Sequence, residues 1–211
     1  MKLWIIIKNI FRKDKNTETD SMKKYLIVGL GNIGEKYKNT RHNIGFKILD
    51  YLASKKEIIF ETQKLGDVAK FRFKGRSFIL LKPSTYMNLS GKAVKYWMTK
   101  EKIPLENMLI LCDDLNIPYG SLRLKPKGSA GGHNGLKDIN NVLQTQQYAR
   151  LRFGVGNKFS KGRQVDYVLG KWNNAELDEM EEKLNKIAEI IKSFGLIGVA
   201  KTMNTFNSKK N

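Results

Sequence analysis

The sequence predicts an α/β fold: a single-domain three-layer sandwich in which helices cover both faces of a mixed, mostly parallel sheet. Three observations lead there. Two continuous apolar runs, Tyr25 to Val28 and Met108 to Leu111, have the pattern of central parallel strands covered on both sides rather than of half-exposed strands. Between them the segment KFRFKGRSFILLKP alternates around Lys74-Gly75, the mark of a hairpin. Stretches of helical period separate these strands, and alternating elements of this kind build layered sheets. A chain of 211 residues with 41% hydrophobic content suits one sizeable core better than two.

Taken in chain order, residues 1–21 read as a flexible extension. KDKNTETDS is polar, and Met22 offers an alternative start. The leader LWIII is broken by Lys8 and falls short of the roughly 20 apolar residues a span requires, so neither signal peptide nor anchor is expected. The domain is expected over residues 22–205, with 206–211 as a polar tail. After the first strand, Thr40 can cap a helix whose Ile44, Ile48 and Leu52 recur on one face. That places Arg41 and His42 in its first turn. Pro83 ends the second hairpin strand, because proline cannot donate to a ladder. A helix follows from Leu89 to Met98. Further strands are expected at Ser121–Lys125 and Ala149–Val155, with helices at Asn134–Leu143 and Ala175–Phe194.

Gly29-x-Gly31-x-x-Gly34, directly after an apolar run, resembles a dinucleotide fingerprint. The residues that follow argue against it. Such a motif needs a helix opening inside the glycines and an acidic residue ending a second strand about 20 residues on. Residues Asn32 to Asn39 are too polar to begin a packed helix, and Asp50 falls within a helical period. The glycines read instead as a tight turn, and no cofactor is expected.

In open α/β sheets, ligands collect beyond the carboxyl ends of central strands. Asn32 follows the first run, and Asp113 and Asp114 follow the other. The chain has two histidines, in RHNIG and GGHNG. His42 near Asp113 would make a general base with an orienting carboxylate. No G-x-S-x-G supports a nucleophilic serine, so water is the expected nucleophile. A zinc hydrolase using His42, His133 and an aspartate is the chemical rival, without H-E-x-x-H or C-x-x-C spacing to support it. Asn88, in PSTYMNLSG, has an amide suited to recognising peptide groups. Cys112 is the single cysteine; it lies in an apolar run and reads as a buried, inert thiol in a reducing compartment.

Lys and Arg number 39 against 20 Asp and Glu, a formal net charge of +19 that favours a polyanionic partner or an acidic membrane surface. Residues 123–163 hold nine basic side chains and one acidic. Strand alternation puts Arg123, Lys125 and Lys127 on one face and Arg150 with Arg152 on another, as phosphate contacts to nucleic acid. Tyr37 and Tyr86 lie near the proposed edge, either as rings that stack on an unpaired base or as packed aromatics with a wet hydroxyl. A noncatalytic RNA-binding module is therefore the second alternative.

Four blocks, VGLGNIGEKYKNTRHNIGF, LLKPSTYMNLSGKAV, DDLNIPYGSLRLKPKGSAGGHNGLKDI and YARLRFGVG, together closely resemble the bacterial peptidyl-tRNA hydrolase family and cover most of residues 24–156. The resemblance implies a monomeric, cytoplasmic, metal-free and cofactor-free esterase. Such an enzyme cleaves peptidyl-tRNA at the ester joining peptide to ribose, meets its acceptor stem and 3′ end, and recycles tRNA without a protein partner. By that resemblance His42 is the base and Asp113 its partner. Asn32, Asn88 and Asn134 hold the peptide and position or polarise the carbonyl. Tyr37, Met87 and His133 fall on family site positions, and Arg123, Lys125 and Arg152 on basic positions that meet the tRNA. Ile33 stands where many relatives have proline and Asn116 where they have an acid. Residues 1–21 have no counterpart in them.

Overall fold

The computed structural model describes residues 23–207. The readings of residues 1–21, of a start at Met22 and of the tail beyond Asn207 lie outside the described residues. Seven strands form one sheet: β1 Lys24–Gly29, β2 Glu61–Gln63, β3 Gly66–Phe73, β4 Arg76–Pro83, β5 Met108–Asp114, β6 Leu122–Lys125 and β7 Ala149–Gly154. Their order is β2-β3-β4-β1-β5-β7-β6. The central strands β4, β1, β5 and β7 run parallel, while both edges are antiparallel. The hairpin expected around Lys74-Gly75 is β3–β4, with both turn residues at positive φ.

Among the described residues six helices accompany the sheet: α1 Ile44–Lys55, α2 Ser90–Glu101, α3 Asn134–Leu143, α4 Gln164–Val168, α5 Asn174–Asp178 and α6 Met180–Phe206. Period-two alternation along the buried strands sends side chains to two separate cores. Ile27, Leu109 and Leu111 meet Ile44, Ile48 and Leu52 of α1 and Ile187, Ile191 and Phe194 of α6. Leu26, Val28, Ile110 and Cys112 meet Val94 and Trp97 of α2 and Leu136 and Ile139 of α3. Burial among these apolar neighbours pushes the Cys112 thiol well above its ordinary pKa, which leaves it protonated and unreactive.

The single helix expected at Ala175–Phe194 is two. Asn173 and Glu176 form a capping box for α5, and a new helix starts at Met180. That helix breaks at Gly198, whose φ of 77° and ψ of 171° are open to glycine, and it continues to Phe206. Asn207 then acts like a peptide group against the edge strand. Its amide accepts from Leu124 N at 2.9 Å and donates to Leu124 O at 2.7 Å. Residues 206 and 207 therefore belong to the folded unit and not to a tail.

The glycine-rich turn does not open a helix. After Gly29 the chain makes a 3-10 turn at Glu35–Tyr37 and another at Arg41–Asn43 before α1 begins at Ile44. The first glycine serves packing instead. A Cβ on Gly29 would lie 2.3 Å from Gly45 O, and one on Gly45 would lie 2.3 Å from Leu30 N and 2.7 Å from Leu111 O. The missing side chains let α1 touch the ends of β1 and β5, where the chain switches from one side of the sheet to the other.

Candidate active site

That close approach brings the turn carrying His42 to the carboxyl end of β5. His42 Nδ1 lies 2.9 Å from Asp113 Oδ1 and 3.0 Å from Oδ2. From the other side, His133 Nε2 lies 3.0 Å from Asp113 Oδ1, and the two imidazole centroids are 4.8 Å apart. Hydrogen-bond arithmetic fixes the protons. His133 Nδ1 accepts from the backbone N–H groups of Gly135 and Leu136, capping α3, so it carries no hydrogen and Nε2 must donate to the carboxylate. His42 donates through Nδ1, which leaves its Nε2 as a bare acceptor. Burial by itself would raise the Asp113 carboxyl, but the two imidazoles facing it outweigh that and hold it well below the usual carboxylate range.

His42, Asp113, His133, Asn134 and Arg152 line a cleft of about 490 Å³ together with Phe159 and with Gln164, Val165 and Val168 of α4. Arg152 meets Asp114 at 3.0 Å, and Asp114 also accepts from Asn116 N at 2.9 Å. Asn32 is not among the residues that line this cleft; it lines another pocket and is joined to the centre through Asn43, next to His42, and through Met87. Its Oδ1 accepts from Met87 N at 2.8 Å, which turns the amide so that Nδ2 is the group left to donate. Met87 in turn reaches the opening turn of α3, where a Cβ on Gly135 would meet Met87 Sδ at 2.7 Å.

The ligand atoms of His42, Asp113 and His133 lie within 4.8 Å of one another, so a metal has to be weighed. The protons count against it. A ligating histidine ordinarily donates its second nitrogen's N–H to a neighbour. His133 does the reverse: Nδ1 accepts two backbone N–H bonds, and Nε2 can ligate only by giving up its remaining proton. The N–H of His42 likewise points at the carboxylate and not at a shared centre.

A family model described as peptidyl-tRNA hydrolase matches residues 26–211. The peptidyl-tRNA hydrolase of Phocaeicola vulgatus is 59% identical over 186 residues, covering 88% of this chain and 100% of that protein. The chain belongs to the peptidyl-tRNA hydrolase family. At greater distance, the enzyme of that name from Chlorobium phaeobacteroides is 46% identical over 186 residues, covering 87% of this chain and 98% of its own. The crystal structure of the Acinetobacter baumannii peptidyl-tRNA hydrolase superposes with a TM-score of 0.82 at 37% identity, over 90% of this chain and 97% of that one.

The other residues singled out in the sequence divide into three groups. Arg123 and Lys125 are exposed on β6, the basic edge expected of them. Tyr37, Tyr86 and Asn88 lie outside the cleft lining: Tyr37 is half-buried, with Lys36 Nζ 5.9 Å from its ring centroid, and Asn88 and Tyr86 are exposed. Arg150 is a correction. It does share a strand face with Arg152, but it is 1% exposed and donates to Ser129 O at 3.0 Å and Gln146 O at 3.1 Å. Its guanidinium also lies 4.2 Å from the Tyr148 ring centroid, so it holds loops together and is closed to phosphate. Thr40 is a smaller correction. Its hydroxyl donates to Tyr37 O at 2.8 Å instead of capping, and His42 sits in the 3-10 turn ahead of α1 rather than in the helix.

One residue of the site went unnoticed in the sequence. Asn43, buried, accepts from Asn32 N at 2.9 Å and donates to Asn32 O at 2.8 Å, fastening the Asn32 loop to the residue after His42. Its partner is backbone 11 positions away, which no motif spacing reveals. The repeated His-Asn pair was the available hint.

Proposed function

We propose that the chain hydrolyses the ester between the carboxyl end of a peptide and the ribose of tRNA, with water as nucleophile and His42 as base. The observation that carries this reading is the one-sided imidazole: Nδ1 spent on Asp113 at 2.9 Å and Nε2 bare on a residue that lines the cleft. Nε2 takes a proton from water as the oxygen adds to the ester carbonyl, a step for which a positioned base contributes about 10² to 10⁴-fold. Asp113, ionised at any working pH, keeps the proton on Nδ1 and stabilises the imidazolium that forms. Asn32 Nδ2 donates to the carbonyl oxygen as it gains negative charge. When the tetrahedral adduct collapses, the ribose oxygen leaves with the proton held on His42 Nε2. The products are a free peptide acid and tRNA, which recycles the tRNA.

Asn134 at the start of α3 and Asn88 in the turn before α2 suit the peptide's amide groups, with Tyr37, Met87 and His133 shaping their surroundings. Arg123 and Lys125 on β6 suit phosphates of the acceptor stem, and Arg152, charge-paired to Asp114, suits the 3′ end inside the cleft. We read the active form as a cytoplasmic monomer that needs neither metal nor partner protein. Among the described residues no helix is long and apolar enough to cross a membrane.

The test is cleavage of an N-acetylated aminoacyl-tRNA by the purified chain, with and without a chelator. Release of N-acetyl amino acid in both arms is expected. Loss of activity in the chelator arm means that His42, Asp113 and His133 serve a metal. Binding without cleavage in either arm means a noncatalytic RNA-binding module.

A further inference from the structure

Arg41 precedes His42, and its side chain turns away from the cleft into the protein. It is buried, and its guanidinium is held from several sides. Nη2 meets Glu176 Oε2 at 2.7 Å, Nη1 donates to Lys171 O at 2.8 Å, and the plane lies 4.5 Å from the Tyr167 ring centroid and 5.5 Å from that of Trp172. The backbone is tied to the same segment, with Arg41 N donating to Gly170 O at 3.1 Å and Thr40 bridging Lys171. Glu176 is fixed in its turn, since Oε2 also accepts from Asn173 N at 2.8 Å in the capping box of α5.

The segment held in this way runs directly out of α4, whose Gln164, Val165 and Val168 line the cleft. A buried charge paired with a single carboxylate, bonded to a carbonyl and lying over two rings defines one geometry; a loose pair would not. We propose that Arg41 is a positioning residue: it locks the turn carrying His42 to the segment that follows α4, setting the height of the imidazole over Asp113 and its distance from the α4 residues that line the cleft. It touches no reacting atom and acts through His42, so this inference rests on the reading of His42 as the base.

Lysine keeps the charge but loses the planar fork and the stack, so Arg41→Lys tests geometry more than charge. A base misplaced by about 1 Å costs on the order of 10²-fold. Arg41→Lys is therefore expected to lower kcat on N-acetylated aminoacyl-tRNA about 10- to 100-fold while KM changes less than about threefold, since the phosphate contacts lie on β6. The deciding arm is a double-mutant cycle with His42→Ala. A residue that acts only through the base adds less than about a twofold further loss once the base is gone. Should Arg41→Lys fail to fold, Glu176→Gln takes its place in the same cycle, because the amide keeps the shape and the capping acceptor while removing the charge. A folded variant with kcat within about twofold of the parent, or losses that multiply in the His42→Ala background, overturns the proposal. Near-normal activity of His42→Ala alone overturns the assignment of the base instead, which keeps the two failures apart.

Discussion

Asp113 serves two imidazoles, and only one of them is free to change tautomer. His133 is committed by the two backbone N–H groups that point at its Nδ1. Replacing Asp113 by Asn can keep an oxygen at the Oδ1 position that both rings meet, but it puts an NH₂ at the Oδ2 position, 3.0 Å from the N–H of His42, so His42 is the ring that gives way. It turns over to carry its proton on Nε2 and stops being a base. Asp113→Asn is therefore expected to reduce kcat on N-acetylated aminoacyl-tRNA by about 10² to 10⁴-fold with KM little changed. Steady-state kinetics on the folded variant decides it, and a loss confined to KM contradicts the assignment. The same carboxylate gives stability a pH dependence. Burial opposes its ionisation, the facing imidazoles outweigh burial, and the net effect is a folded-state pKa far below the usual range. Such a group contributes fully above the unfolded value of about 4, and its contribution disappears as pH falls through the interval beneath. Urea midpoints taken at neutral pH and near pH 3 should thus drop further for the parent than for Asp113→Asn. At this scale the sequence named Asp113 because it follows an apolar run, and His42 because it is one of two histidines, each beside an asparagine in a glycine-containing context. It misjudged Arg150 because alternation along β7 assigns a face and says nothing of depth.

Among the elements, the approach of α1 to β1 and β5 decides whether base and carboxylate meet. Gly45 leaves no room for a methyl group: three backbone atoms, Leu30 N, Leu30 O and Leu111 O, stand within 2.7 Å of where a Cβ would be. Gly45→Ala has to push α1 off the sheet. Overpacking of this kind costs about 3 kcal/mol, and it should also lower kcat by moving His42 away from Asp113. Chemical denaturation and turnover on one preparation measure both, and a variant as stable and active as the parent refutes the close-packing role. Strand runs, the hairpin and the span of α3 were legible because each is a local pattern of period two or 3.6. The 3-10 turns before α1 and α2 were not, since one turn is too short to show a period. The division into α5 and α6 was missed for a different reason: it falls at the single residue Glu179, whose φ of −87° and ψ of −11° remain helical, so the pattern of period 3.6 is hardly interrupted.

For the molecule as a whole, a formal net charge of +19 draws any polyanion, so binding alone says little about specificity. What the fold adds is a sorting of the cations by depth. Arg123→Ala should weaken binding to every tRNA and reduce the slope of log affinity against log salt by about 1, as for one lost phosphate contact. Arg150→Ala should leave that slope unaltered and cost about 2–4 kcal/mol of stability, because the carbonyls of Ser129 and Gln146 lose a buried donor. Salt titrations of tRNA binding, paired with denaturation curves, separate the two. An equal change of slope in both variants contradicts the division. Family membership was readable from four sequence blocks, since so specific a combination of motifs needs no coordinates. The mutual geometry of His42, Asp113 and His133 was not, because the elements that carry them lie far apart along the chain.

All of these expectations rest on His42 removing a proton from water. The most direct measurement is single-turnover cleavage of N-acetylated aminoacyl-tRNA, with enzyme in excess, by the parent chain and by His42→Ala, each checked for native structure by circular dichroism. The account predicts prompt cleavage by the parent and a rate about 10² to 10⁴-fold lower for the variant at unchanged tRNA affinity. A natively folded His42→Ala protein that cleaves at the parent's rate contradicts it.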